Sequence, residues 1–84
     1  MNLVFTPEAW EDYLYWQKTD KRITKRIHEL IKDIRRSPLE GIGKPEALRH
    51  NLSGCWSRRI TEEQRIVYKV TDDGVAFLQM RYHY

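Results

Sequence analysis

The fold is decided by residues 65–84, which read "RIVYKVTDDGVAFLQMRYHY". Side chains alternate with a period of two on both sides of "TDDG", and this pattern predicts two strands, at residues 65–70 and 75–84. Gly74 can adopt the positive φ that a tight turn requires, so the two strands are expected to pair as an antiparallel hairpin. The preceding stretch "WSRRI", at residues 56–60, predicts a third strand joined to the hairpin by "TEEQ".

Upstream of these strands the sequence predicts a helix that begins at "TPEAWED". Thr6 is suited to cap it, and Pro7 fits the first helical position, where no backbone N–H is needed. Trp10, Tyr13 and Leu14 then fall on one side of the helix. We expect these three residues to form its apolar stripe.

A second helix is predicted to begin after Thr19 or Asp20 and to end at Ser37-Pro38. Its apolar residues recur every three or four positions, the signature of an amphipathic helix: Ile23, Ile27, Leu30, Ile31 and Ile34. The opposite side is basic and carries Lys21, Arg22, Lys25, Arg26 and Lys32. Such a face is either simply solvated or a contact for phosphate or an acidic partner, and the pattern leaves both possibilities open.

Together these elements predict one α+β domain over residues 1–84 with the order β-α-α-β-β-β. Residues 2–5, "NLVF", form the first strand, which we place at a sheet edge. Two N-terminal helices then cover one face of a mostly antiparallel sheet. Between helices and sheet lies the loop "SPLEGIGKPE", and Pro45 is expected to lead a brief helical turn over residues 45–48.

Strand alternation predicts which side chains share a face of the sheet. In the last strand, Ala76, Leu78, Met80 and Tyr82 are assigned to the helix-covered face, and Val75 and Phe77 to the opposite face. That opposite face is also expected to collect the polar residues Arg59, Arg65, Lys69, Gln79, Arg81 and His83. By the same rule Tyr82 anchors in the core and Tyr84 points away from His83.

Composition limits the classes of function. The formal net charge is +3 over 84 residues. This mild basicity suits nucleic acid or an acidic protein as a partner without deciding between them. Cys55 is the single cysteine, which fits a reducing compartment. No apolar run is long enough to cross a membrane, and the N-terminus does not have a secretory signal pattern, so we expect a soluble, cytoplasmic protein.

Three residues could supply metal-independent cleavage of RNA. A carboxylate can take the proton from a 2′-hydroxyl, a guanidinium can stabilise charge on the phosphate, and an imidazolium can protonate the departing oxygen. Glu46, Arg65 and His83 are candidates for these roles. Each also has an ordinary explanation: Glu46 as a helix-start carboxylate, Arg65 as a surface ion-pair partner, and His83 as an exposed histidine. Sequence spacing alone does not show that they converge.

The motifs K-P-E-x-L, S-G-x-W-S-R-R-I and R-Y-H-Y, together with "WEDYLYWQKTDKRI", resemble those of the YoeB toxins. This family belongs to the RelE-like superfamily of bacterial toxin–antitoxin pairs, and the likeness spans nearly the whole chain. It implies a ribosome-dependent mRNA endoribonuclease that cuts mRNA in the ribosomal A site and is held inactive by a YefM-like antitoxin. It also implies a tendency to form homodimers.

The resemblance carries roles onto individual residues. Glu46, Arg65 and His83 would be the catalytic glutamate, the transition-state arginine and the general acid, and Tyr84 would help to arrange the substrate. The expected RNA contacts are Lys44, Arg49, Arg59 and Arg81. We expect no metal and no cofactor, since no His, Cys or carboxylate cluster has convincing ligand spacing.

Two alternatives remain at the level of sequence. One is a non-catalytic toxin that blocks a target protein, as the ParE relatives do. The other is a nucleic-acid-binding module that uses the second helix. The first has no reason to keep Glu46, Arg65 and His83 together, and the second predicts salt-sensitive binding without cleavage.

Overall fold

The computed structural model describes residues 1–82, which form two α-helices, a short 3-10 helix (His50–Leu52) and a five-stranded sheet. The helices are α1 (Pro7–Thr19) and α2 (Lys21–Arg36), and the strands are β1 (Asn2–Phe5), β2 (Glu46–Ala47), β3 (Trp56–Arg59), β4 (Arg65–Thr71) and β5 (Gly74–Gln79). The strand order is β1-β5-β4-β3-β2. β1 is an edge strand parallel to β5, and the other pairs are antiparallel. The α+β prediction is confirmed.

Both predicted helix starts are confirmed by their capping contacts. The Thr6 hydroxyl accepts a hydrogen bond from the backbone N–H of Ala9 at 3.1 Å. At the second start it is Asp20, not Thr19, whose carboxylate accepts from the N–H groups of Arg22 and Ile23. Each cap satisfies backbone donors that the first turn of a helix leaves unpaired. Neither helix in residues 1–82 has the length and apolar character that crossing a bilayer requires.

The predicted apolar stripe of α1 is wrong in part. Ala9 and Trp16 are its buried residues, whereas Trp10 is 47% exposed and Leu14 is 37% exposed. Ala9 is small enough to let the helix approach the sheet closely. Trp16 brings its indole N–H to the backbone oxygen of Met80 at 2.8 Å, which satisfies the polar atom of a buried ring. These contacts set the rotation of α1 about its axis.

The predicted helical turn after Pro45 is also wrong, because residues 46–47 form strand β2. Glu46 pairs with Ser57, and Ala47 pairs with Trp56. The N–H of Leu48 then donates to the oxygen of Cys55 at 2.9 Å. Pairing with β3 satisfies the backbone and buries the Leu48 side chain. A proline is tolerated immediately before such an edge strand.

The predicted faces of β5 are reversed over its first half. Val75 and Phe77 are fully buried in the core beneath the helices. Leu78 instead packs beside Val67 on the other side of the sheet. A β-bulge explains the change: Tyr68 pairs with Phe77 and Val67 pairs with Gln79, so Leu78 is an extra residue. The bulge restores the predicted direction for Gln79, which lies on the Val67 side, and for Met80, which is in the core.

Residues 80–82 do not continue the strand. β5 ends at Gln79, and Tyr82 has a positive φ of 67°. The Arg81 guanidinium carbon lies 3.5 Å from the centre of the Tyr15 ring on α1, and Tyr82 is 58% exposed. The predictions that Arg81 follows strand alternation and that Tyr82 anchors in the core are therefore wrong. His83 and Tyr84, with the predicted direction of Tyr84, lie outside the described residues.

Candidate active site

Strand register brings three of the predicted site residues onto one face of the sheet, opposite the helices; we call it the site face. Paired residues on neighbouring strands project to the same side. Glu46 pairs with Ser57, which pairs with Val67, which pairs with Gln79. These four residues therefore form one row across β2, β3, β4 and β5.

The next row of the site face holds two arginines. Arg59 on β3 pairs directly with Arg65 on β4. With strands about 4.8 Å apart and residues about 3.4 Å apart along each strand, roughly 12 Å separates the Cα atoms of Glu46 and Arg65. Both side chains can therefore reach a single phosphodiester group that lies between the rows.

The arginine pair has the electrostatics of an anion site. Like charges directly opposite each other in an antiparallel pair repel, so an anion bound between Arg59 and Arg65 would relieve that repulsion. The Nε atom of Arg59 is buried and has no hydrogen-bond partner among residues 1–82. A buried donor without a partner is costly to the free protein, and an acceptor from a ligand would remove that cost. Phosphate oxygens are strong acceptors for such a group.

The loop that leads to Glu46 is held by a buried arginine, Arg58, which is not among the predicted site residues. Arg58 is fully buried, and all five of its N–H groups have acceptors. Three of the acceptors are carbonyl oxygens of the loop: those of Ser37 at 2.6 Å, Glu40 at 2.9 Å and Ile42 at 3.1 Å.

The other two Arg58 donors reach side chains. Nη1 donates to Asp33 on α2 at 2.6 Å, and Nε donates to the Tyr68 hydroxyl on β4 at 3.1 Å. Tyr68 in turn donates to the oxygen of Pro38 at 2.6 Å, and burial raises the pKa of this phenol above its ordinary value. Arg58 thus joins α2, β3, β4 and the loop. The position of Glu46 depends on this network because the chain reaches β2 directly from the loop.

Asp33 is the buried carboxylate of the network. It also accepts from the backbone N–H of Ile42 at 3.0 Å and from Arg36 at 2.8 Å. The Arg58 hydrogen bond is the largest cause that holds the pKa of Asp33 below its ordinary value; Ile42 and Arg36 act in the same direction and burial opposes them. Gly41 allows this close approach, because a Cβ atom there would lie 2.0 Å from the Asp33 Oδ2 atom.

The sequence held a signal for this network. Alternation placed Arg58 on the same face as Trp56 and Ile60, which is the face turned toward the helices. A guanidinium there must find several acceptors or a carboxylate, because an unpaired buried charge is very costly. Its partner Asp33 lies among the apolar positions of α2. The contacts themselves could not be deduced, since 25 residues separate Arg58 from Asp33.

The predicted RNA-contacting residues occupy different places. Arg59 is on the site face beside Arg65. Lys44 and Arg49 are exposed on either side of β2, where residues 46–52 line a groove of about 490 Å³. Arg81 is half-buried against α1. The catalytic candidates His83 and Tyr84 lie outside the described residues.

Within residues 1–82, no three His, Cys, Asp or Glu side chains are grouped closely enough to hold a metal ion. Cys55 is buried with Leu48 and Val67 in a small apolar cluster on the site face, as expected of a packing thiol. His28 lies on the exposed side of α2, where its Nε2 atom is 2.8 Å from the Tyr13 hydroxyl.

Comparison with known proteins identifies the family. Residues 5–84 match the model of the YoeB-like toxin of bacterial type II toxin–antitoxin systems. The Escherichia coli K12 protein "Toxin YoeB" is 67% identical, with both chains covered completely. A structure of a YoeB dimer from Staphylococcus aureus has a TM-score of 0.93 at 50% identity, and a YoeB–YefM complex from the same organism has a TM-score of 0.92 at 49% identity; each covers all of this chain and 98% of the other. The fold, the motifs and this full-length similarity show that the chain belongs to the YoeB-like toxin family of type II toxin–antitoxin systems.

Proposed function

We propose that this toxin is a ribosome-dependent endoribonuclease that cleaves mRNA in the ribosomal A site by metal-independent acid–base chemistry. The observation that carries the proposal is the register of the site face. It places a carboxylate, Glu46, one row away from the opposed guanidinium groups of Arg59 and Arg65. An acid–base group beside a phosphate-binding pair is the arrangement that transesterification of RNA requires.

In the proposed reaction, Glu46 takes the proton from a 2′-hydroxyl as its oxygen attacks the adjacent phosphorus. Arg65 donates hydrogen bonds to the phosphate oxygens as negative charge builds on them. The bond from phosphorus to the 5′-oxygen breaks, and His83 gives that oxygen a proton. The products are a 2′,3′-cyclic phosphate and a 5′-hydroxyl. Tyr84 is assigned to substrate arrangement.

Lys44, Arg49, Arg59 and Arg81 are assigned to RNA contacts. Lys44 and Arg49 flank β2, so they can bind the backbone on either side of the cleaved linkage. Arg81 stacks with Tyr15 through the flat face of its guanidinium group. This geometry leaves its N–H edge able to donate to a phosphate.

The partners are proposed from relatives. The S. aureus structures contain a YoeB dimer and a YoeB–YefM complex. We infer that this chain forms a homodimer, acts in the cytoplasm and is neutralised by a YefM-like antitoxin. The net charge of +3 favours association with an acidic antitoxin segment as well as with RNA.

Primer extension on a defined mRNA, with and without translating ribosomes, tests the proposal. Wild type should cut within ribosome-occupied codons and leave free RNA largely intact. Glu46→Gln, Arg65→Ala and His83→Gln should each slow cleavage by about 100-fold or more, because each removes an acid–base group or a charge-stabilising donor. Binding to the ribosome should change much less.

Matched controls remove the same chemistry elsewhere. Glu63→Gln changes an exposed carboxylate in the turn between β3 and β4, and His28→Gln changes an imidazole on α2. Both should cut like wild type. Cleavage at the wild-type rate by the Glu46, Arg65 and His83 variants would refute the assignment of these residues. Growth inhibition without RNA cleavage would favour a ParE-like inhibitor of a target protein, and salt-sensitive RNA binding without cleavage would favour a binding module.

A further inference from the structure

Helix α1 holds the segment that follows β5 through three residues on one side of the helix: Asp12, Tyr15 and Trp16. We call them the α1 clamp. Residues three and four positions apart on a helix lie on the same side, so all three can face the same stretch of chain. Their contacts are with Met80 and Arg81, the first two residues beyond the end of the strand.

Two members of the clamp bind the backbone of Met80 from both directions. The Asp12 carboxylate accepts a hydrogen bond from the Met80 N–H at 2.9 Å. The Trp16 indole N–H donates to the Met80 oxygen at 2.8 Å. The Met80 side chain is fully buried in the main core. Helix α1 therefore holds the two successive peptide groups on either side of the Met80 Cα atom.

Tyr15, the third member of the clamp, contacts Arg81, and Gln64 contacts Tyr82. The ring of Tyr15 lies beneath the Arg81 guanidinium group, 3.5 Å from ring centre to Cζ. The N–H of Tyr82 donates to the side-chain oxygen of Gln64, which precedes β4. The positive φ of Tyr82 turns the chain at this point. Such a conformation persists in a non-glycine residue only when its surroundings hold it in place.

The clamp acts where the sheet no longer guides the chain. The ladder between β4 and β5 ends at the pair of Val67 and Gln79, so register does not direct the residues that follow. We propose that Asp12, Tyr15 and Trp16 are positioning residues for catalysis: they fix the backbone of residues 80–82, the segment to which His83 is covalently joined. This inference rests on the proposed role of His83 as general acid. Misplacement of a reacting group by about 1 Å can cost a hundredfold in rate.

The test is the rate of mRNA cleavage on programmed ribosomes in single-turnover reactions, measured across a range of toxin concentrations. Asp12→Ala removes the acceptor of the Met80 N–H and should lower the saturating rate about 10- to 100-fold with little change in the half-saturating concentration. Asp12→Asn keeps an oxygen that can accept and should recover most of the rate. Glu11→Ala, an exposed neighbour on α1, is the matched control and should cut like wild type.

A second pair of variants tests the stacking of the Arg81 guanidinium group on the Tyr15 ring. Tyr15→Ala removes the surface beneath Arg81 and should slow the saturating rate, and Tyr15→Phe keeps the ring and should restore it. Circular dichroism of every variant reports folding, and the Tyr15 pair keeps the inference testable if Asp12→Ala does not fold.

A double-mutant cycle separates positioning of His83 from a general structural effect. In a His83→Gln background, Asp12→Ala should cause no further loss, because the group it positions is already absent. An equal loss in both backgrounds, an effect on half-saturation alone, or full activity of both Asp12→Ala and Tyr15→Ala would overturn the inference. If His83→Gln itself cuts like wild type, the proposed general acid is wrong, and that outcome is distinguishable from failure of the clamp.

Discussion

At the scale of single residues, two adjacent arginines occupy opposite environments. Arg58 points toward the helices, is fully buried and has acceptors for all its donors. Arg59 points to the site face, stands opposite Arg65 and keeps a buried Nε without a partner in residues 1–82. The motif S-R-R-I therefore joins a structural cation to a cation suited to binding an anion, and alternation along β3 separates them.

This contrast predicts different consequences for stability. Arg58→Ala should destabilise the protein by about 3–5 kcal/mol, because it leaves Asp33 buried without its main partner and frees several loop carbonyls. Arg59→Ala should lower the free energy of unfolding far less, since it removes the repulsion between the paired cations Arg59 and Arg65. Urea unfolding followed by circular dichroism measures both. Equal losses would contradict the division of roles between the two arginines.

At the scale of elements, α2 is fixed mainly by its apolar side. Ile27, Leu30 and Ile34 are fully buried, whereas Ile23 is only partly covered at the edge of the same core. On the opposite side of α2, Lys21, Arg22, Lys25 and Lys32 are exposed. The helix supplies Asp33 to the loop network from the same side that supplies the core, so packing of α2 also orders the chain that leads to Glu46.

Truncation of two isoleucines one turn apart tests this description. Ile27→Ala should cost about 2–5 kcal/mol of unfolding free energy, because it leaves a cavity in a closely packed core. Ile23→Ala should cost clearly less unfolding free energy, since Ile23 is only partly buried and solvent can reach the space it leaves. Both values come from urea unfolding at neutral pH. A larger loss for Ile23→Ala would show that α2 packs in another orientation.

At the scale of the whole molecule, the sheet separates the main core from the candidate site. Its helix-covered face holds the main core and the Arg58–Asp33 network, and its site face holds Glu46, Arg59 and Arg65. The α1 clamp and the loop network link the two faces. The clamp joins α1 to the segment that follows β5, and the network joins α2 to the loop that precedes β2.

The network predicts how stability depends on pH. The pKa of Asp33 is lowered in the folded protein from the ordinary value of 3.8. Its charged form therefore contributes stability that is complete above that ordinary value and is lost as the pH falls from there through the folded pKa. Urea midpoints of Asp33→Asn should be lower than those of wild type at pH 7, and the difference should shrink as the pH falls below 3.8. A gap that stays constant with pH would contradict this linkage.

The sequence by itself determined the class of fold, the Thr6 cap of α1, the edge position of β1 and the family. Each of these follows from local pattern: a period of 3.6 or 2, a capping side chain, a turn glycine or a contiguous motif. The direction of Arg58 toward the helices also followed from alternation, although its partners did not.

Tertiary structure alone decided the rotation of α1, strand β2, the bulge at Leu78 and the end of β5 at Gln79. Each depends on contacts between residues distant in sequence, such as Trp16 with Met80 and Leu48 with the β3 segment. The bulge shows the reason most directly. One extra residue in β5 changes the side of the sheet that the residues after it face. The pairing of β5 with β4 makes Leu78 that extra residue, and no local sequence pattern indicates this pairing.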